Sequence, residues 1–105
     1  MRMDEFAALS DSTRREIVTL LAEADRRAGD IAAQFDVSPP AVSQHLKVLR
    51  EARLVKVERR GRERIYSLDL DGLAAMEAWV ERTRTKWNSR LDRLANLLEE
   101  EDRDA

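Results

Sequence analysis

A mainly α-helical fold, about five helices with one small β-hairpin, is what this 105-residue chain predicts. Three observations carry that prediction. Apolar residues recur at steps of three and four along most of the chain, the pattern of helices with one buried face. Residues 54–68 instead alternate about a central Gly61, as two strands and a turn would. Two adjacent prolines, Pro39 and Pro40, stand directly ahead of one helical pattern and mark a sharp helix entry.

Composition bounds what such a fold can be. The length and a 43% hydrophobic content suit one domain with one modest core, so residues 1–105 are expected to form a single unit. Charged residues reach 38% and aromatics only 5%, which fits a helical protein with a solvated surface better than an enzyme with a deep pocket. No run of about 18 apolar residues is present, so no transmembrane helix is expected. The first ten residues, MRMDEFAALS, carry acids where a signal peptide needs a basic lead and a long apolar stretch. With no cysteine there is no disulfide framework and no thiolate ligand, and a cytoplasmic home is expected.

The elements follow in order. Phe6, Ala7 and Leu9 suggest a short first helix after a loose lead. Ser10, Asp11 and Ser12 offer oxygens to cap a second, whose face holds Ile17, Leu20, Leu21 and Ala24. Ala28-Gly29-Asp30 breaks that helix and starts a short third one with Ile31, Ala32 and Phe35 apolar. Asp36-Val37 is a brief turn. Ser38 can accept a bond from a free amide at the next helix start, and the prolines suit its first turn. This fourth helix spans roughly residues 39–51, with Val42, Leu46 and Leu49 as its buried stripe. Pro40, Ser43, Gln44 and Lys47 then face away from the stripe, and Ala41 and His45 flank it.

Two short helices joined by a tight turn, the second exposing small polar groups, form a helix-turn-helix pattern or an ordinary helical hairpin. The next segment decides between them. Residues 54–60 and 62–68 fit strands on either side of Gly61, which can supply the positive φ of a tight reversal. Their tip reads Arg59-Arg60-Gly61-Arg62-Glu63-Arg64. An arginine-rich tip alone describes a soluble edge, but beside a helix-turn-helix it describes a wing, whose guanidiniums can hold phosphates or enter a narrow minor groove. The charge distribution agrees. Residues 38–68 hold eight basic and three acidic groups between acidic flanks, although the whole chain carries −2. From about Asp71 to Leu98 one long helix is expected, with Leu73, Met76, Val80, Thr83, Trp87, Leu91, Leu94 and Leu98 at helical steps and Trp79 on the same broad face. An apolar stripe of that length outreaches the core of so small a domain, so its later part is expected to meet another chain. The acidic run Glu99-Glu100-Glu101-Asp102 is expected to fray.

These residues resemble a known family. ALSDSTRREIVTLL (8–21) and GDIAAQFDVSPPAVSQHLKVLREARLVKVERRGRERIYSL (29–68) are similar to the ArsR-type (ArsR/SmtB) winged helix-turn-helix transcriptional regulators. The most specific parts are V-S-x-H-L-x-x-L from Val42 to Leu49 and the arginine–glycine–arginine wing closing on Tyr66, and the match covers about residues 4–70. The resemblance implies a homodimer on a pseudo-palindromic double-stranded DNA operator, with terminal helices forming the dimer contact. WNSRLDRLANLLEE (87–100) also looks like the last helix of members without a metal site. Metal-sensing members carry a Cys-x-Cys motif near the third helix, or Asp/His and Glu/His pairs on the last. This chain has no cysteine, its one histidine lies in the fourth helix, and the last helix offers only carboxylates such as Glu77, Glu81 and Asp92. The family's usual proline after Ser-Asp of the second helix is Ser12 here.

The expected function is therefore a dimeric, sequence-specific DNA-binding repressor, with no cofactor, no metal and an unknown effector. On the fourth helix, Gln44 can pair bidentately with adenine, Ser43 with either purine, and Pro40 and Ala41 can touch thymine methyls. Ser38 and Lys47 are expected on phosphates, as is Arg14 at the start of the second helix. His45 is expected to bond a phosphate or a neighbouring backbone group rather than a metal. Arg60, Arg62 and Arg64 would grip backbone or minor groove from the wing. Phe6, Leu73, Met76, Trp79, Val80, Trp87, Leu91, Leu94 and Leu98 are the expected dimer residues. The rivals are a winged-helix protein-interaction adaptor and a metal-responsive repressor with an unusual carboxylate site. An enzyme is not expected, because there is no glycine-rich phosphate loop, nucleophile–histidine pair or paired acids.

Overall fold

In the computed structural model, residues 4–104 are described, and they form five helices and a three-stranded antiparallel sheet. The order is α1 (Asp4–Ala8), α2 (Ser12–Glu23), β1 (Arg26–Arg27), α3 (Ala28–Ala33), α4 (Pro39–Glu51), β2 (Val55–Arg60), β3 (Glu63–Leu68) and α5 (Leu70–Asp104). The chain divides into two compact units, one ending at Ala75 and the other beginning at Met76. This is the mainly helical winged helix-turn-helix arrangement that the sequence predicts. The loose lead expected before α1 lies largely on residues 1–3, outside those described.

Helix α2 starts where the side chain of Asp11 accepts the backbone N–H of Arg14 at 3.1 Å. Its buried face is Ile17 and Leu21, with Leu20 half-buried. Ala24, which the spacing put on that face, is instead the exposed residue ending the helix, with an extended backbone. The reason lies just beyond it. Arg26 and Arg27 pair with Tyr66 and Ile65, making a short third strand on the outer edge of β3. The expected two-stranded sheet is thus three-stranded. A two-residue strand has no room for the alternation that marks a strand in sequence, and its pairing partner lies some forty residues away.

The hairpin itself runs in the register Val55↔Leu68 to Arg60↔Glu63, closed by Gly61 and Arg62. Gly61 has φ of 63° and Arg62 does not share the left-handed region, the pattern of a type II′ turn. Helix α4 packs against α1, α2, α3 and β2 through Val42, Leu46 and Leu49, each 2% exposed or less. Ala8, Ile17, Leu21, Ile31, Ala52, Leu54, Val55 and Tyr66 are buried with them.

The end of α4 is tied down by backbone bonds. The N–H of Arg53 donates to Arg50 O and that of Leu54 to Leu49 O, both at 3.0 Å, the pairing that ends a helix with a left-handed residue. That residue is Arg53, at φ 62°, where glycine is usual. Leu54 follows, fully buried, and its carbonyl accepts the N–H of Asp69 at 2.9 Å. Asp69 Oδ1 in turn accepts the N–H of Gly72 at 3.2 Å. Gly72 lies so close to this turn that a Cβ there would sit 1.6 Å from Arg53 O.

Helix α5 continues to Asp104, beyond the Leu98 expected, so the acidic run 99–102 is helical rather than frayed. No proline or glycine follows Gly72. Leu and Glu are strong helix formers, and Arg103 in the last turn complements the helix dipole. Propensity over the segment outweighs the repulsion of four adjacent acids.

Replacing Gly72 by Ala will destabilise the fold by roughly 2–3 kcal/mol, since rigid backbone rather than a movable side chain must yield. Urea unfolding of G72A beside the parent checks this, and an unchanged midpoint contradicts it.

Candidate nucleic-acid interface

The entry to α4 is built from three residues. Ser38 Oγ accepts the N–H of Ala41 at 3.2 Å, and Pro39 and Pro40 occupy the first two helical positions. Each proline lacks an N–H that this turn would leave unpaired, so the entry is stiff without a buried orphan. With the stripe buried, the opposite face is left to solvent. Pro40, Ser43, Gln44 and Lys47 are exposed, and Ala41 and His45 are half-buried on its flanks, as the helical spacing requires. Ser38 Oγ is engaged by the cap, which leaves its hydroxyl hydrogen free to donate outward.

Arg14 and His45 come together, though thirty-one residues apart. Arg14 Nε donates to the carbonyl of Ala8 and Nη2 to that of Ala7 at 3.2 Å, closing the C-terminal end of α1. Its Nη1 lies 3.4 Å from His45 Nδ1. A guanidinium has no lone pair to offer, so in this contact Nδ1 can take part only as the acceptor. Asp11 Oδ1 stands 4.0 Å from the same Nδ1. The guanidinium of Arg14 is thus held inside the fold, joining α1, α2 and α4, and the ring of His45 faces a cation and a carboxylate rather than a metal-binding set. Spacing in the sequence gave no sign of this meeting.

At the wing, Arg59 and Arg64 are directly opposed across the strands, as are Arg60 and Glu63. Like charges facing each other disfavour the hairpin by a few tenths of a kcal/mol or more. Arg60 reaches Glu58 at 3.4 Å and Arg59 Nε reaches Gly61 O at 3.4 Å. Among the described residues, Arg62 and Arg64 have no ion-pair partner, and both are exposed. Arg27, which sequence reasoning missed, belongs here too. It donates to Asp30 from Nε and to Glu63 from Nη1, both at 3.0 Å, linking β1 to α3 and β3.

The expected dimer residues differ in exposure. Phe6 and Leu73 are half-buried in the first unit, as are Met76, Trp79 and Val80 at the start of the second. Trp87, Leu91, Leu94 and Leu98 are 47–61% exposed, and Leu97, which the stripe omitted, is 60% exposed. Among the described residues no three His, Asp or Glu side chains are grouped to hold a metal ion. No described helix is long and apolar enough to cross a membrane.

A capped helix presenting small polar groups, followed by an arginine-tipped hairpin, defines a winged helix-turn-helix regulator of the DNA-binding class. Comparison with known proteins makes the assignment specific. Residues 11–57 match the family described as "Bacterial regulatory protein, arsR family". The chain is 46% identical over 94 residues to HTH-type transcriptional regulator Rv2034 of Mycobacterium tuberculosis, covering 90% of this chain and 85% of that one. It is 41% identical to the transcriptional repressor SdpR of Bacillus subtilis, over 71% of this chain and 83% of that one. An ArsR-like transcriptional regulator from Rhodococcus sp. RHA1 superposes with a TM-score of 0.83, at 36% identity, over 91% of this chain and 88% of that one. A homodimeric winged helix-turn-helix DNA-binding domain from Mycobacterium bovis does so with a TM-score of 0.64, at 25% identity, over 79% and 77%. The chain belongs to the arsR family of bacterial regulatory proteins, and its family and relatives are transcriptional regulators rather than enzymes.

The N–H of Arg14 on the Asp11 carboxylate, aided by the His45 ring and the Arg14 charge, holds the Asp11 pKa below its ordinary value. A depressed folded pKa stabilises the fold above the unfolded value, near 4, and that contribution is lost as pH falls through the folded one. Asp11→Asn keeps a cap but cannot titrate. Its stability relative to the parent should therefore improve as pH drops below about 4. Denaturant titrations at several acidic pH values check this, and a constant difference would remove Asp11 as the cause.

Proposed function

We propose that two copies of the chain bind a pseudo-palindromic DNA operator and repress transcription by occupying it, without sensing a metal. The observation that carries this is a division of chemistry between two neighbouring elements. The face α4 leaves outward is almost uncharged, with Pro40, Ser43 and Gln44 exposed beside Lys47. The wing beside it carries Arg62 and Arg64 with no acid paired to either among the described residues. Amides and hydroxyls read base edges, whereas unpaired guanidiniums hold phosphates. In this reading Gln44 and Ser43 read bases, Pro40 and Ala41 meet thymine methyls, and Ser38, Lys47, Arg60, Arg62 and Arg64 hold the backbone. Arg14 acts from within, fixing His45 and so the flank of α4. The repressor and homodimer in this reading draw support from what SdpR and the M. bovis domain are named for. The absence of cysteine and the engagement of the one histidine by Arg14 support a regulator that does not sense metal.

Anisotropy of labelled duplex from the promoter beside the gene tests the reading. Log K should fall steeply with log salt, by about 0.9 per phosphate contact. Arg62→Gln should weaken every duplex alike, whereas Gln44→Ala should cost about 1–3 kcal/mol on the operator alone. No binding to any duplex at low salt would end the proposal.

Dimerisation is assigned to the exposed stripe of Trp87, Leu91, Leu94 and Leu98. Two-fold symmetry then spaces half-sites about 10–10.5 bp apart, or a multiple of that. Leu91→Asp with Leu94→Asp should yield a monomer in sedimentation and lower operator affinity about 100-fold or more, because the second half-site is no longer tethered. A dimer that survives both changes would place the interface elsewhere.

A further inference from the structure

Beside the wing lies a cleft of about 530 Å³, lined by Arg27, Gly29, Asp30, Arg62, Glu63 and Arg64. Three guanidiniums stand against two carboxylates there, and the carboxylates are both placed on one of the arginines. Arg27 Nε donates to Asp30 Oδ2 and Nη1 to Glu63 Oε1, each at 3.0 Å. These side chains are 52–55% exposed, so the pairs add little to stability. Their effect is orientation: a planar group held at two of its nitrogens cannot turn away. Of its five N–H donors, those on Nη2 and one on Nη1 are left without a partner among the described residues. Arg62, next to Gly61 in the turn, has no partner either. Arg64 lines the cleft as well and has no ion-pair partner among the described residues, so arginines outnumber carboxylates there by three to two. Gly29 lines the cleft without a side chain, and an added Cβ there would meet nothing within 4 Å. A fixed fork of donors, a second free guanidinium and an open glycine position are what a tetrahedral oxyanion needs.

We propose that this cleft is a phosphate-binding subsite, gripped by Arg27 and Arg62 and separate from the base-reading face of α4. The phosphate chemistry could be supplied by a backbone phosphodiester of bound DNA or by a free phosphate. The DNA source rests on the proposed function; the site itself does not.

Gly29→Leu adds a side chain at the cleft without changing any charge, and in an open helical position it should leave thermal unfolding at or above that of the parent. In duplex anisotropy across about 50–200 mM salt, G29L and Arg27→Gln should each weaken binding about fivefold on any sequence. The G29L slope should also flatten by about 0.9, one phosphate contact. In the second arm, inorganic phosphate is titrated into the ¹⁵N-labelled protein. Saturable shifts of the Gly29 amide and Arg27 Nε–H in the parent, with the Arg27 Nε–H shift absent in G29L, show that the site takes free phosphate. A duplex effect without those shifts assigns the cleft to the DNA backbone. Shifts without a duplex effect assign it to free phosphate. Parental duplex affinity and slope in both variants, together with no shifts, overturn the subsite. A parent protein that binds no duplex at all overturns the DNA reading instead, and the phosphate titration still decides the site.

Discussion

Everything presented by the first unit depends on the burial of one stripe on α4. Val42, Leu46 and Leu49 are almost fully enclosed, and each such side chain is worth roughly 1.5–3 kcal/mol when removed from water. Because the three lie within about 60° around the helix, their burial fixes its rotation as well as its position. Pro40, Ser43, Gln44 and Lys47 are outward for no reason of their own; they are what remains when the stripe is satisfied. A side chain that reads bases must be placed to within a fraction of an ångström, and a rigid element held by packing provides that better than a loop. The stiff proline entry at one end and the left-handed Arg53 turn at the other prevent the helix from sliding along its own axis.

The same logic explains why so much polar chemistry sits around the ends of α4. Arg14 bridges the carbonyls of Ala7 and Ala8 to His45, so α1 is attached to the flank of α4 through one guanidinium. Leu54 and Asp69 tie the turn after α4 to the start of α5, with Gly72 admitting a close approach to the Arg53 carbonyl. These bonds tie α1 to the flank of α4 and the turn at Arg53 to its C-terminal end.

Most of this architecture could be read from the residues. Helical steps marked α2, α4 and the long α5, the prolines and Ser38 marked the entry to α4, and Gly61 marked the hairpin turn. These signals are local: each depends on residues within one or two turns of the chain. What escaped reading is non-local. Strand β1 exists because Arg26 and Arg27 meet Tyr66 and Ile65, and nothing in a two-residue stretch announces such a partner. Arg14, expected on a phosphate as a cation at a helix start, also bonds Ala7 and Ala8 and reaches His45, a meeting its place in the sequence does not announce. Arg27 was overlooked for the converse reason, since its significance comes from Asp30 and Glu63 on two other elements. The acidic end of α5 is helical because the helix propensity of its residues outweighs the charge repulsion that predicts fraying.

The overall charge of −2 places a physical demand on a protein of this class. Acidic surface repels a polyanion at long range, so favourable contact must be concentrated where the chain meets DNA. The wing concentrates arginines, and does so at a structural cost. Arg59 faces Arg64, an arrangement that opposes hairpin formation in the free protein. Exposure to salt softens the cost in solution, and a line of phosphates between the arginines would reverse its sign. In the proposed complex, phosphates between the arginines would remove that repulsion, whereas the acidic flanks would weaken loose, poorly placed encounters. The two together would widen the gap between a seated complex and non-specific contact, and that gap, more than affinity alone, is what a regulator uses to find one site among many.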